Sequence, residues 1–247
     1  MPQLQRLTIS ATQIENQQIT LTPEQYHYLS RVLRLQTDDR FIAMNGQGQW
    51  WLAKLVNQQA EIIEPITIYT ELPISITSIV ALPKNGFDEV VKQITELGVT
   101  KIIPVISDRT LLKPSPQKID RWRRIAIEAA EQSERQIVPE ILEPIPFKNS
   151  FSLINGSKYI CYARGNSPHL LNYLIPFPNT EITIATGPEG GWTEREIQEA
   201  RAAGFQTVSL GKRILTAVLA PVVALSLVTA TAEAASESPN FFKKSGL

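Results

Sequence analysis

The sequence predicts an α/β fold in which a parallel sheet follows a small β-rich domain. β-branched runs alternate with amphipathic helices after about residue 74, and two of the later runs end in glycine turns. Strands that alternate with helices are joined by right-handed crossovers, which place the strands parallel in one sheet. The chain has 247 residues, 43% of them apolar, which is enough for a buried core in one or two domains.

Residues 1–72 are predicted to form the first domain, a small β-barrel with one inserted helix. They contain several short β-rich runs, with a hairpin signal at residues 45–48 (NGQG) between two of them. The amphipathic pattern of Pro23–Leu33 predicts a helix there, because proline suits a first helical turn. Residues 73–247 are predicted to form the second domain, in which strands and helices alternate.

The stretch Ile182–Leu225 is the strongest candidate for a ligand site. A buried strand runs into residues 187–191 (GPEGG), and a second strand ends at Gly211. In a parallel sheet both turns lie at the carboxyl edge, where open α/β sheets bind ligands, although glycines after strands often form only tight turns. Neither turn matches a phosphate loop, so a triphosphate or a dinucleotide is not expected. Thr193 and Glu196 then form a capping-box pattern that begins a helix.

The charge and cysteine content exclude several classes of site. The formal net charge is zero, so nucleic-acid contact must come from local clusters such as Arg31 and Arg34, which lie near Tyr26 and Tyr28. Two solvated surface arginines are the alternative interpretation of that cluster. Cys161 is the only cysteine, which fits a reducing, cytoplasmic compartment. The two histidines lack metal-ligand spacing, so no metal is expected.

The segment Ile214–Ala232 is uncharged for 19 residues, which is close to the length that spans a bilayer. Its many Ala and Thr residues, and Pro221 within it, favour a helix buried between the sheet and a partner subunit. A membrane anchor is the alternative. The first residues lack the apolar region of a signal peptide.

Five motifs in order indicate a family. The motifs are Tyr28–Leu35 (YLSRVLRL), Lys84–Gly98 (KNGFDEVVKQITELG), Arg121–Pro139 (RWRRIAIEAAEQSERQIVP), Gly187–Gly191 (GPEGG) and Leu210–Leu215 (LGKRIL). With these motifs the chain resembles the small-subunit (16S) ribosomal RNA uridine-N3 methyltransferases of the knotted SPOUT superfamily.

The resemblance implies a PUA-like, RNA-binding β-barrel in residues 1–72 and a SPOUT α/β knot, a parallel sheet with a trefoil knot, in residues 73–247. It also implies the cofactor S-adenosylmethionine, a homodimer, and 16S rRNA or the small ribosomal subunit as partner. The implied cofactor-binding residues are Thr186, Gly187, Pro188, Glu189, Gly190, Gly191, Leu210, Gly211, Arg213, Ile214 and Leu215.

The implied reaction is methyl transfer to N3 of a uracil that must be unpaired or extruded. That nitrogen carries a proton with a pKa of roughly 9–10, near that of a tyrosine phenol. Arg213 is the candidate to stabilise the anion, and Glu128 or Glu189 to accept the proton. The candidate RNA phosphate contacts are Arg31, Arg34, Lys84, Arg123 and Arg124.

The sequence departs from the family's pattern in one place. The family commonly continues its last motif as Arg-x-Glu-Thr-Ala, whereas this chain has Thr216, Val218 and Leu219 at the arginine, glutamate and threonine positions. Charged and polar contacts near the cofactor or base are therefore missing. This departure keeps open an alternative, a non-catalytic RNA-binding protein that retains the knotted fold.

Overall fold

The computed structural model describes residues 4–111, 113–164, 166–175 and 181–236. The chain divides into two compact units. The first comprises residues up to Glu71 together with 127–138, and the second comprises 72–126 together with the residues from Pro139 onward.

The first unit is built on a six-stranded mixed sheet. Its strands are β1 (Arg6–Thr8), β2 (Ile14–Glu15), β3 (Gln18–Thr20), β4 (Arg40–Met44), β5 (Trp50–Val56) and β6 (Gln59–Ile66). They lie in the order β1-β4-β5-β6-β3-β2, in which β1 and β4 are parallel and the other neighbours are antiparallel. The predicted hairpin at residues 45–48 does join β4 to β5. Ile19, Leu29 and Phe41 are fully buried within this unit.

The predicted helix Pro23–Leu33 is not regular. Pro23–His27 forms α1, capped by Thr22, and the next turn, Tyr28–Val32, is a π-helix. The wider turn rotates Val32 outward, so this side chain is 59% exposed although the helical pattern predicted it to be buried. Arg34 follows with a φ of +59°, outside the helix, and therefore does not share a helical face with Arg31.

The second unit contains a parallel sheet, as predicted. Its strands are β7 (Ser75–Ala81), β8 (Lys101–Ile106), β9 (Glu140–Ile141), β10 (Ile145–Pro146), β11 (Ser157–Cys161), β12 (Glu181–Thr186) and β13 (Gln206–Val208). The order is β10-β8-β7-β12-β11-β13, with β9 beside β8. Every pairing described for this sheet is parallel.

Five helices are described after β7. They are α2 (Phe87–Glu96), α3 (Pro116–Gln132), α4 (Leu171–Leu174), α5 (Glu194–Ala202) and α6 (Leu219–Ser236), with a 3₁₀ segment at Phe147–Leu153. The sequence pattern of residues 118–135 predicts a helix that ends at Arg135, three residues too late, because the chain turns at Glu134, whose φ is +62°. The first residues of α3 belong to the second unit and its last residues, from Ile127, to the first.

Helix α6 packs one face against α2 and β12. Pro221, Ala224, Leu225, Val228 and Ala232 are buried along that face, at the spacing expected for a helix. The Thr229 hydroxyl donates a hydrogen bond of 2.6 Å to the Leu97 carbonyl just beyond α2. With 18 residues and a mean hydropathy of 1.5, α6 is long and apolar enough to cross a membrane, although core helices of soluble proteins also meet these criteria. Within the chain, 28% of the helix is buried.

Candidate functional site

The two glycine turns lie at the same edge of the parallel sheet, as predicted. One follows Thr186 at the end of β12, and the other follows Val208 at the end of β13. Both strands pair with β11, which lies between them. Two strand spacings separate the turns, on the order of 10 Å, so one ligand of nucleoside size can contact both.

The glycine loop, residues 187–191, requires glycine at three positions for different reasons. A Cβ on Gly187 would lie 3.2 Å from the Nε1 atom of the Trp192 ring. A Cβ on Gly190 would lie 3.0 Å from the Cδ atom of Arg109. Gly191 has open space beside it but a φ of +67°, which side chains disfavour. The loop is therefore tightly surrounded on the side of the protein core.

Two neighbouring loops hold the glycine loop. The backbone N–H of Lys84, in the loop after β7, donates a 2.9 Å hydrogen bond to Oε1 of Glu189. Arg109, in the loop after β8, donates a 2.6 Å bond from Nη1 to the Gly190 carbonyl. The structure thus brings together two predicted site residues, Lys84 and Glu189. Arg109 was missed, since its contact joins residues 81 positions apart.

A polar network anchors the loop that carries Arg109. The Asp108 N–H donates to Oε1 of Glu196 at 2.9 Å, and the Thr193 hydroxyl lies 2.8 Å from Oδ2 of Asp108. Arg195 lies 2.5 Å from the other Asp108 oxygen. The hydrogen bond from Thr193, reinforced by Arg195, lowers the pKa of the Asp108 carboxyl. The capping box of Thr193 and Glu196 was predicted from local spacing, but its link to Asp108 was not.

Two buried polar atoms near the glycine loop have no partner within the part of the chain that the structure describes. The Thr186 hydroxyl is completely buried at the end of β12, and Nε1 of Trp192 lies beside Gly187. Buried polar atoms are normally hydrogen-bonded, because an unpaired one costs about 1–3 kcal/mol. Unpaired groups at the end of a strand are typical of a site that receives a polar ligand.

The second loop, residues 209–216, is more exposed to solvent than the glycine loop. Gly211 has a φ of +119°, and its N–H donates to the Ser209 hydroxyl oxygen at 3.1 Å. Ile214 is 72% exposed, and Arg213 is also exposed. An exposed isoleucine beside a polar turn provides an apolar surface on which a flat ring can pack.

The residues that depart from the family pattern have structural roles. The Thr216 hydroxyl accepts a 3.2 Å hydrogen bond from the Leu219 N–H at the start of α6. Val218 packs on Gly86, where a Cβ would lie 2.8 Å from a methyl carbon of Val218. Position 218 thus fills the space beside Gly86 with an apolar side chain.

Comparisons with known proteins identify the family. The family described as "RNA methyltransferase domain" matches residues 70–229, and the one described as "RNA methyltransferase PUA domain" matches residues 21–64. The chain belongs to this RNA methyltransferase family. It is 46% identical over 239 residues to a ribosomal RNA small subunit methyltransferase E from Synechocystis sp., covering 92% of this chain and 78% of that protein. The Bacillus subtilis protein of that name is 29% identical, covering 85% of this chain and 89% of its own length.

Two solved structures are similar over most of their length. The ribosomal RNA small subunit methyltransferase E from Neisseria gonorrhoeae, bound to S-adenosyl methionine, has a TM-score of 0.84 and 32% identity, covering 92% of this chain and 98% of that one. A Legionella pneumophila methyltransferase in complex with the same cofactor has a TM-score of 0.83 and 26% identity, with the same coverages. The predicted fold class, a SPOUT α/β knot preceded by a PUA-like unit, is confirmed.

The predicted RNA contacts of this methyltransferase differ in their availability. Arg123 forms ion pairs with Asp120 at 3.2 Å and Glu143 at 2.7 Å, which partly occupy its guanidinium. The other four are exposed and form no ion pair among the described residues; they are Arg31, Arg34, Lys84 and Arg124.

The predicted proton acceptor Glu128 lies in the first unit of the methyltransferase, whereas Glu189 and Arg213 lie in the second. Glu128 lines a polar cavity of about 660 Å³ together with Tyr28 and Glu131. Burial raises the pKa of the Glu131 carboxyl, and burial together with the two carboxylates raises the pKa of Tyr28. This cavity contains none of the predicted cofactor-binding residues.

Proposed function

We propose that this chain transfers the methyl group of S-adenosylmethionine to N3 of a uridine in 16S ribosomal RNA. One observation carries the proposal: two glycine turns lie at one edge of the parallel sheet in a chain of the RNA methyltransferase family. The similar structures from N. gonorrhoeae and L. pneumophila, which contain S-adenosyl methionine, support it.

The residues present fit this cofactor. S-adenosylmethionine carries no phosphate, in keeping with two turns that match no phosphate loop. The unpaired Thr186 hydroxyl offers a polar contact, and Ile214 offers an apolar surface for a purine. We assign the binding to Thr186, to residues 187–191 and to residues 210–215, whose backbone groups can hydrogen-bond the edge of an adenine.

When bound, the cofactor supplies a methyl group activated by its sulfonium sulfur. The protein must position the uracil, and it must accept the N3 proton or stabilise the anion that remains. Arg213 is exposed and forms no ion pair among the residues described, so we assign it to stabilise the uracil anion. Glu189 accepts the Lys84 N–H at one oxygen, which leaves the other oxygen as an acceptor for the proton. Glu128 is the second candidate for that role.

We assign RNA binding to residues 1–72 as a PUA-like domain and catalysis to residues 73–247. The phosphate contacts proposed are Arg31, Arg34, Lys84, Arg123 and Arg124. Binding is therefore expected to weaken as salt is raised. A target base within a duplex would have to be extruded before its N3 could reach the site.

The protein is proposed to act as a cytoplasmic homodimer. Val222, Val223 and Leu227 on α6 are only partly buried within one chain. A second copy that covers this apolar face would remove it from water, which is the chief driving force of association. Light scattering of the full-length chain without detergent tests this proposal. A monomer, or a requirement for detergent, would contradict it.

The activity is tested by incubating the protein with labelled S-adenosylmethionine and either 16S rRNA or small subunits, followed by chromatography of the nucleosides. Label is expected in N3-methyluridine. Arg213→Ala should lower the turnover rate by about 10²-fold or more, as for loss of one stabilising donor. Arg201→Ala, an exposed arginine on α5 with no assigned role, is the matched control and should retain full activity.

The departure at Thr216, Val218 and Leu219 motivates one alternative, a non-catalytic RNA-binding protein with the same fold. The same assay separates the two. Binding of the cofactor and the RNA without transfer of label would support the alternative and contradict the proposed activity.

A further inference from the structure

The glycine loop needs external restraints to hold one conformation. Three of its five residues are glycines, which lose more backbone freedom on ordering than any other residue. Within the loop, the Gly191 N–H donates a 2.8 Å hydrogen bond to the Pro188 carbonyl. The Lys84 N–H holds the side chain of Glu189 but not the backbone of the following residues.

Arg109 supplies the missing backbone restraint. Its Nη1 donates to the Gly190 carbonyl at 2.6 Å and reaches the Trp192 carbonyl at 3.5 Å. The Gly190 carbonyl and the Gly191 N–H belong to one planar peptide group. Arg109 holds the oxygen of that group and Pro188 accepts from its N–H, so the peptide plane is fixed at both ends.

The aliphatic part of Arg109 also explains why residue 190 is glycine. A Cβ at Gly190 would lie 3.0 Å from Cδ and 3.3 Å from Cβ of Arg109. Gly190 is not among the glycines with a positive φ, so the backbone conformation itself accepts a side chain. The close approach of the arginine, and not the turn, therefore disfavours a side chain at this position, because a Cβ would force the arginine to shift.

The turn that carries Arg109 is ordered before any ligand arrives. The Ser107 N–H donates to the Thr110 hydroxyl at 3.0 Å, the two hydroxyls lie 2.8 Å apart, and the Thr110 N–H donates to the Ser107 carbonyl at 3.1 Å. The neighbouring Asp108 is bonded to Thr193 and Glu196 on the first turn of α5. A side chain carried on a turn that is already ordered loses less conformational entropy when it binds the glycine loop.

We propose that Arg109 is a positioning residue of the site, which holds the Gly190–Gly191 peptide in the conformation that binds the cofactor. The proposal rests on the proposed function only in naming S-adenosylmethionine as the ligand. Arg109 acts through the loop and takes no part in the methyl transfer itself.

The first test measures the dissociation constant for S-adenosylmethionine by calorimetry. Arg109→Ala should raise it about tenfold, the effect of losing a hydrogen bond from a charged donor, while the affinity for RNA stays unchanged. Arg109→Lys keeps one donor and should rescue part of the loss. Arg201→Ala is the matched control, because it removes an exposed arginine on α5 whose side chain bonds to Thr207 and not to the glycine loop or Asp108. Equal affinity of Arg109→Ala and wild type would overturn the proposal.

The second test uses the steric contact. Gly190→Ala should weaken cofactor binding in the wild type, where the new Cβ meets the arginine, and much less in the Arg109→Ala background. An equal effect of Gly190→Ala in both backgrounds would contradict the proposal.

The third test does not depend on the ligand. Amide ¹⁵N order parameters of Gly190 and Gly191 in the free protein should be near 0.85 in wild type and Arg201→Ala, and below about 0.6 in Arg109→Ala. If wild type binds no S-adenosylmethionine but the order parameters still fall, the proposed function fails and the positioning role stands. Unchanged order parameters would refute the positioning role.

Discussion

Removal of the Glu71 carboxylate is expected to destabilise the first unit far more than removal of the Glu61 carboxylate. Both acids form short ion pairs, at 2.7 Å with Arg135 and at 2.9 Å with Lys54. The pairs differ in burial, because the Arg135 side chain is 4% exposed and that of Glu71 17%, against 32% and 52% for Lys54 and Glu61. Water and salt screen the second pair but hardly reach the first.

The magnitude follows from what each deletion leaves behind. Glu71→Ala deprives a buried guanidinium of this counter-ion, and breaking a buried pair in this way costs about 3–5 kcal/mol. It also removes the acceptor of the Ile137 N–H, which donates to Glu71 at 3.0 Å. Glu61→Ala leaves a partly exposed lysine whose ammonium group water can solvate, so little change is expected.

Native-state hydrogen exchange of the β4 and β5 amides measures the difference. Glu71→Ala should accelerate their exchange by roughly a hundred- to several-thousand-fold, since each 1.4 kcal/mol is a factor of ten. Glu71→Gln keeps an acceptor for the Ile137 N–H and should give an intermediate effect, which preserves the test if the alanine variant fails to fold. Equal exchange in Glu71→Gln and Glu61→Gln would refute the reasoning.

Three further outcomes are expected. Gly156→Ala should destabilise the second unit by more than about 3 kcal/mol in denaturant titrations, because its Cβ would lie 2.2 Å from the Glu181 carbonyl oxygen. Gly204→Ala is the control: its Cβ would meet open space, so the substitution should cost only about 1 kcal/mol. The raised pKa of Glu131 disfavours its ionised form in the folded state, so this carboxyl contributes stability at acidic pH that is lost as pH rises through its folded pKa. Glu131→Gln should therefore be more stable than wild type at neutral pH, with the difference shrinking towards low pH in unfolding curves. Arg31→Ala should weaken RNA binding and reduce the slope of log K against log salt by about one, whereas an unchanged slope would exclude a phosphate contact.

Local patterns predicted the elements well and their ends less well. The capping box of Thr193 and Glu196 was predicted because both residues lie within one helical turn. The end of α3 was missed because the Arg135 side chain pairs with Glu71, 64 residues away, while the chain turns at Glu134. The π-turn at Tyr28–Val32 was missed because its apolar spacing also fits a regular helix.

In the candidate site too, local patterns predicted the loops but not the contacts between distant residues. The glycines of residues 187–191 mark the site in the sequence, and the two successive strand–turn units predict their common edge. The sequence around Arg109 does not indicate its contact with Gly190, because only the register of β7, β8 and β12 brings the two residues together. An Asp-Arg pair directly after a strand of a parallel sheet is nonetheless a pattern by which such a residue can be sought.

The position of α6 has a consequence for synthesis of the protein. About 120 residues separate the end of α2 at Glu96 from the start of α6 at Leu219, its packing partner. At roughly 5–20 residues per second, a ribosome needs roughly 6–25 s to translate that interval. During this time the apolar surface of α2 has been synthesised without the helix that covers it. The nascent chain must therefore remain soluble while part of its core is uncovered. Chaperone binding and aggregation of the nascent chain compete during this interval.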